Sequence, residues 1–196
     1  MEILNTIQKE ALGLFAKISD SGHFYLTGGT ALSYFYLRHR KSNDLDLFTV
    51  TEELILPLSH TLEETLKDKK MMVRRQRGMH SFVELLIEQN NEKTVIHLAC
   101  DSPYRIGELK TFPEYPNLKV DNLIDISTNK LLALFGRAAL RDFIDIYEIE
   151  KQKDLAIENF ESEIIEKTKF MLRFEKYRTN FADKLKNMPL VMEIET

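Results

Sequence analysis

FYLTGGTALSYFYLRHRKSNDLDLF (residues 24–48) reads as a strand, two glycines, a helix, a short polar turn and a second strand. The strands are expected at Phe24–Thr27 and Asp44–Phe48. Side chains two apart on a strand share a face, so Asp44 and Asp46 stand together while Leu45 and Leu47 turn to the core. Two carboxylates that close repel one another unless a cation lies between them. A hard divalent ion such as Mg2+ takes oxygen ligands and usually arrives with a phosphate-bearing substrate. Gly28–Gly29 lets the backbone approach a bound group, with the start of the following helix aimed at it. Glycines at a helix start beside a carboxylate pair imply a metal–nucleotide site for phosphoryl chemistry, with Asp44 and Asp46 as the metal ligands.

The Gly-Gly…Asp-x-Asp arrangement is similar to that of the DNA polymerase β-like nucleotidyltransferase superfamily. The fuller string runs Gly28-Gly29-Thr30-Ala31-Leu32, then His39-Arg40-Lys41-Ser42-Asn43-Asp44-Leu45-Asp46-Leu47-Phe48. It resembles the AbiEii/AbiGii toxin branch of that superfamily. The resemblance implies an α+β fold: a polymerase β-like core, a mixed sheet flanked by helices, followed by a helical C-terminal part. We place the core at residues 1–120 and the helical domain, which would complete the active-site cleft, at 121–196. The implied reaction is Mg2+-dependent transfer of a nucleoside monophosphate from a nucleoside triphosphate, with Mn2+ as a substitute ion. Gly28, Gly29 and the amide of Thr30 would cradle the phosphates.

Composition sets the frame for that reading. A chain of 196 residues suits one large domain or two small ones, and 43% hydrophobic content is enough for a packed core. A net charge of −4 does not mark a general nucleic-acid binder, so any RNA surface must be local. One cysteine, Cys100, excludes an internal disulfide and suits a reducing compartment. No apolar run approaches the roughly 20 residues that span a bilayer. The N-terminal stretch carries acids and helical periodicity and is not expected to be a signal peptide. A cytoplasmic protein with no membrane partner is expected.

Residues 2–19 predict a helix, with Leu4, Ile7, Ala11, Leu14, Phe15 and Ile18 on one stripe. The helix after Gly29 should bury Leu32, Phe35 and Tyr36 and end near Leu37–Arg38. His39, Arg40 and Lys41 are either a solvated turn or contacts for a triphosphate or RNA backbone; Arg40 is the candidate ligand. Ser42 is a cap or a phosphate contact. Residues 51–69 predict a helix capped by Thr51, with Pro57 awkwardly inside it. Residues 70–100 predict a β-meander, with turns at Arg77-Gly78 and Gln89-Asn90-Asn91-Glu92. Its Arg74, Arg75 and Arg77 either protect an edge or form an RNA groove wall.

Polymerase β-like enzymes usually carry a third carboxylate on a neighbouring strand. At the matching place this chain has His97, with Asp101 the next acid on that face. His97 is either an unusual ligand or base or a structural histidine. Residues 102–120, rich in proline, read as an irregular connection and the best domain boundary.

Beyond it the pattern turns helical. A helix capped by Asp125 or Ser127 should run to Gly136, and one or two amphipathic helices are expected over Asp154–Met188. Lys130, Arg137, Arg141, Asp142, Asp145, Ile146 and Tyr147 match a second motif of the AbiEii-type family. There a lysine and a downstream aspartate belong to the active site. By the match that role falls to Lys130 and Asp145, with Asp142 the alternative. Lys130 would place a point charge on the triphosphate, and Asp145 would position Lys130 or the acceptor hydroxyl, or add a metal ligand. The resemblance implies the toxin of a toxin–antitoxin pair, with an antitoxin as partner and, in some relatives, the 3′ end of tRNA as acceptor. Two other readings stay open: a transferase that modifies a protein hydroxyl, and a non-catalytic nucleotide-binding or partner module.

Overall fold

The alternation of aspartate and leucine at residues 44–48 decides which side of the sheet is buried. In the computed structural model, which describes residues 2–137, 139–152 and 166, strand β2 (Asp44–Thr49) alternates half-buried and fully buried residues along its length. The chain separates into two compact units, Met1–Ile126 and Ser127–Thr196.

The first unit is built on a seven-stranded mixed sheet in the order β3-β4-β5-β2-β1-β7-β6. Strand β1 (Tyr25–Thr27) lies antiparallel to β2, and β5 (Glu92–Cys100) lies parallel to β2 on its other side. The meander expected over 70–100 is present as β3 (Met72–Met79), β4 (Phe82–Gln89) and β5. Its second turn has Asn90 and Asn91 at φ 50° and 64°, the left-handed pair that joins tightly twisted strands. The first turn falls at His80-Ser81 rather than Arg77-Gly78. A bulge between Arg75 and Arg77 absorbs one residue, so β3 continues through Gly78.

One face of this sheet is apolar. Leu45, Leu47, Val83, Leu85, Ile87, Ile96 and Leu98 are completely buried there. Helices α1 (Thr6–Phe15) and α3 (Ile55–Asp68) pack against β5 and β3–β5 respectively. Helix α1 is shorter than its apolar stripe because Asn5 starts it. The Asn5 side chain accepts from the Gln8 amide at 2.9 Å, and the Gln8 side chain accepts from the Asn5 amide at 3.1 Å. In α3 the buried residues are Ile55, Leu58, Leu62 and Leu66. Pro57 does not break α3, because it stands in the first turn, where its missing amide has no helical partner. Thr51 makes no side-chain cap bond.

Residues 102–120 are not a wholly irregular connection. They contain β6 (Lys110–Phe112) and β7 (Tyr115–Val120), and β7 runs parallel to β1 inside the sheet. Proline concealed the strand. Pro113 lies in the β6–β7 turn, and Pro116 sits where β7 has no β1 partner, so its missing donor costs nothing there. Of the helix residues expected in the core, Leu32 is fully buried but Phe35 and Tyr36 are only half-buried. They pack instead on the β6–β7 hairpin, with Phe35 and Phe112 ring centres 4.5 Å apart and Tyr36 and Phe112 5.7 Å apart.

Helix α4 (Leu123–Arg137) begins earlier than Asp125, because the Asn122 side chain accepts from the Asp125 amide at 2.9 Å; Gly136 lies within it. In the second unit, α5 (Leu140–Glu150) follows a short connection. The helices expected over 154–188 lie outside the described residues, apart from Glu166. Among the described residues no helix is long and apolar enough to cross a membrane. Replacing Asn5 by alanine should lower the unfolding free energy by about 1 kcal/mol, read from a urea titration. An unchanged midpoint would mean that the reciprocal cap does not start α1.

Candidate active site

The half-buried face of the sheet carries a row of polar side chains at one level. Glu84 on β4, His97 on β5, Asp46 on β2 and Thr27 on β1 are successive register partners. Partners across a sheet share a face. His97 Nδ1 lies 2.8 Å from Asp46 Oδ1, and its Nε2 lies 3.6 Å from Glu84 Oε2. The Phe82 ring packs on the imidazole with centres 5.6 Å apart. The hydrogen bond to Asp46 raises the His97 pKa above its ordinary value; burial opposes this, and the charges of Asp46, Asp44 and Glu84 add to the rise. Asp44 stands two residues before Asp46 on the same face.

The paired glycines meet Asp46 from the side. Gly28 has φ +72°, and a Cβ placed on it would overlap the Asp46 carboxylate at Oδ2. Only glycine serves both demands. A Cβ on Gly29 would stand 2.6 Å from Arg40 Nη2 and 3.1 Å from Ser42 Oγ. Helix α2 (Gly28–Ala31) therefore starts against Asp46, Arg40 and Ser42 together, and continues as a wider π-helical turn, Leu32–Leu37. Left-handed Arg38 then reverses the chain. The returning loop is pinned from the core side. The Gln8 side chain donates to the Ser42 carbonyl at 2.9 Å, and the Thr94 hydroxyl donates to the Asn43 carbonyl at 2.7 Å. Thr30 is fully buried and its hydroxyl donates to the Asp44 carbonyl. Its side chain is thus a strut, and only its amide is left for a ligand.

Other candidates are placed less centrally. Asp101 accepts from the Tyr25 hydroxyl, and its amide donates to the Thr49 carbonyl at 2.8 Å, which makes it a tether. Of the arginines on β3, Arg75 turns to the core side and binds Glu63 at 2.6 Å and Ser59 at 2.9 Å. Arg74 pairs with Glu88 at 2.8 Å, and exposed Arg77 is the register partner of Glu84. A buried network lies next to Thr27, whose hydroxyl donates to Asp121 Oδ2 at 2.7 Å. Arg105 also binds Asp121, lies 3.7 Å from Asp125 and stands over the Tyr25 ring at 4.4 Å.

Glu84, Asp121 and Arg105 were not expected from sequence. Glu84 was recoverable: a two-residue turn at Asn90-Asn91 pairs Gln89 with Glu92 and, counting back, Glu84 with His97. Asp121 depends on the strand that the prolines concealed.

In the second unit Lys130 is buried between two carboxylates. Its Nζ lies 2.7 Å from Asp145 Oδ2 and 3.5 Å from Asp142 Oδ1. Both acids are fully buried. Arg137 grips Asp142 through Nε at 2.6 Å and Nη2 at 2.8 Å. Burial alone would raise the Asp142 pKa, but the Arg137 hydrogen bonds and the charges of Lys130 and Arg137 outweigh it and hold the carboxyl below its usual range.

Asp44 and Asp46 offer oxygen donors of the kind Mg2+ prefers. Among the described residues no group of three or more His, Cys, Asp or Glu side chains is arranged to hold a metal ion. An ion held by Asp44 and Asp46 would be completed by substrate phosphates and water, as Mg2+ commonly is. The glycine cradle, the oxygen donors and the guanidinium at the helix start suit a metal-bound polyphosphate.

Two substitutions test this geometry. Gly28→Ala should cost at least about 1–2 kcal/mol through its left-handed backbone alone. Gly13→Ala, where the added Cβ meets nothing within 4 Å, should instead be neutral or stabilise by up to about 1 kcal/mol. Equal melting temperatures for the two variants would contradict the close approach. Lys130→Met should destabilise by about 3–5 kcal/mol, as loss of one partner of a buried ion pair does. Adding Asp145→Asn should recover part of that loss in denaturant titrations; no recovery would deny the pairing.

Three solved structures share this fold. A Helicobacter pylori protein described as a nucleotidyltransferase matches with a TM-score of 0.59 at 17% identity, over 98% of this chain and 89% of that one. JHP933 from Helicobacter pylori gives 0.56 at 18% identity, over 95% and 81%. MenT4, a nucleotidyltransferase toxin from Mycobacterium tuberculosis H37Rv, gives 0.51 at 20% identity, over 71% and 55%. No curated protein sequence matches the chain. The family model described as nucleotidyl transferase AbiEii toxin of type IV toxin–antitoxin systems matches residues 12–191. With that match spanning most of its length, the chain belongs to the AbiEii nucleotidyltransferase toxin family.

Proposed function

We propose that this nucleotidyltransferase moves a nucleoside monophosphate from a nucleoside triphosphate to a hydroxyl of tRNA or another RNA. The observation that carries the reading is the contact of the Gly28 turn with the Asp46 carboxylate. It sets a helix start, which binds anions, beside carboxylates, which bind cations. A metal-bound triphosphate is the ligand that satisfies both.

In this reading Asp44 and Asp46 would hold Mg2+, or Mn2+ in its place, and the ion would supply charge neutralisation for the triphosphate. The amides of Gly28, Gly29 and Thr30 bind phosphate oxygens. Arg40 adds a guanidinium from the side of Gly29, and Ser42 a hydroxyl. The acceptor hydroxyl gives its proton to water, its oxygen bonds to the α-phosphorus as the bond to the β-phosphate breaks, and pyrophosphate leaves. Lys130 supplies a point charge for the triphosphate, and Asp145, with Asp142 behind it, aims the lysine. Arg40 and Lys41, with Arg74 and Arg77, are the local basic surface for an RNA backbone. An antitoxin encoded with the toxin is the expected partner, and the cytoplasm the expected site of action.

One observation favours a second reading, nucleotide binding without transfer: His97, not an acid, stands beside Asp46 and occupies one of its oxygens. Purified protein with Mg2+ and labelled nucleotides separates the two. Transfer predicts label in an RNA pool, lost on adding EDTA and reduced to background in Asp46→Asn. Label that survives RNase would point to a protein hydroxyl. Mg2+-dependent binding with no label on any acceptor would overturn the proposal in favour of the second reading.

A further inference from the structure

The Asp46 carboxylate is held from two sides. Its Oδ2 faces the Gly28 turn, and its Oδ1 lies 2.8 Å from His97 Nδ1. The terminal torsion of an aspartate is soft, so without a fixed donor the two oxygens would not keep these places. His97 can be that donor because its own ring is fixed. Phe82 packs on one face, with ring centres 5.6 Å apart, and Glu84 Oε2 stands 3.6 Å from Nε2 at the far edge. The three polar residues are register partners on β4, β5 and β2, so rigid strands set their spacing.

We propose that His97 is a positioning residue for Asp46, its imidazole held by the Phe82 ring and by its place on β5 so that Nδ1 donates. His97 therefore does not stand in for a missing third metal-binding acid; it acts through a ligand that is already there. A carboxylate accepts hydrogen bonds, so the nitrogen facing Asp46 carries its proton and has no lone pair for a metal. The second nitrogen faces Glu84, away from Asp46. Partners that orient a ligating side chain in this way typically change metal affinity or activity by about 10–100-fold when removed. The proposal rests on the reading that Asp46 holds the cation.

Binding of Mn2+ together with a non-hydrolysable nucleoside triphosphate to the full chain, followed by electron paramagnetic resonance, tests both statements, with thermal melts run in parallel. Wild type should bind, and Asp46→Asn should not. His97→Phe should weaken binding by about 10–100-fold at an unchanged melting temperature, because a phenyl ring fits against Phe82. His97→Asn keeps an amide donor near the place of Nδ1 and should recover most of the affinity. Wild-type affinity in His97→Phe, or an asparagine variant as weak as the phenylalanine one, would overturn the positioning role while leaving Asp46 as the ligand. Wild-type binding by Asp46→Asn, or no binding by wild type, would overturn the cation reading and the positioning role with it.

Discussion

The first unit turns on one close approach, that of the Gly28 backbone to the Asp46 carboxylate. The approach needs a left-handed residue without a side chain at the end of β1, and a carboxylate directly across the ladder on β2. Everything around it serves that contact. Thr30 straps the helix start to the Asp44 carbonyl, Gln8 and Thr94 pin the loop that brings Arg40 and Ser42 to Gly29, and His97 holds the far oxygen of Asp46. The apolar face below, packed on α1 and α3, keeps the strands in the register on which this depends.

The second unit shows a different economy of charge. Lys130 is sunk between Asp142 and Asp145, and Arg137 takes a share of Asp142. A buried lysine is costly to desolvate, and two partners offset that cost while fixing where the ammonium points. The arrangement gives the acids of the second motif distinct physical roles. Asp145 orients Lys130, and Asp142 ties Lys130 to Arg137.

Much of this was legible in the chain. The Asp44–Leu45–Asp46–Leu47 alternation gave the strand and its faces, and Asn90-Asn91 marked a hairpin. Helix α3 survived Pro57 because a first-turn amide has no partner to lose. What was hidden depends on long-range pairing. β7 was masked by Pro113 and Pro116, although its pairing with β1 is confined to Lys119 and Val120, beyond the prolines. Glu84 reads as an ordinary strand acid until the register sets it opposite His97. Asp101 looked like a site residue by alternation, but the strand ends at Cys100 and Asp101 turns to Tyr25. Local pattern reports faces and turns; it does not report which neighbour a strand acquires.

The proposed function has the acidic pair on β2 and the lysine on α4 serve one triphosphate. A crystal structure with Mg2+ and a non-hydrolysable nucleoside triphosphate tests it most directly. The account predicts the ion on Asp44 and Asp46, phosphate oxygens at the Gly28–Gly29 amides, and the Lys130 ammonium on the same triphosphate. A nucleotide bound at the glycines with Lys130 remote from its phosphates would contradict it.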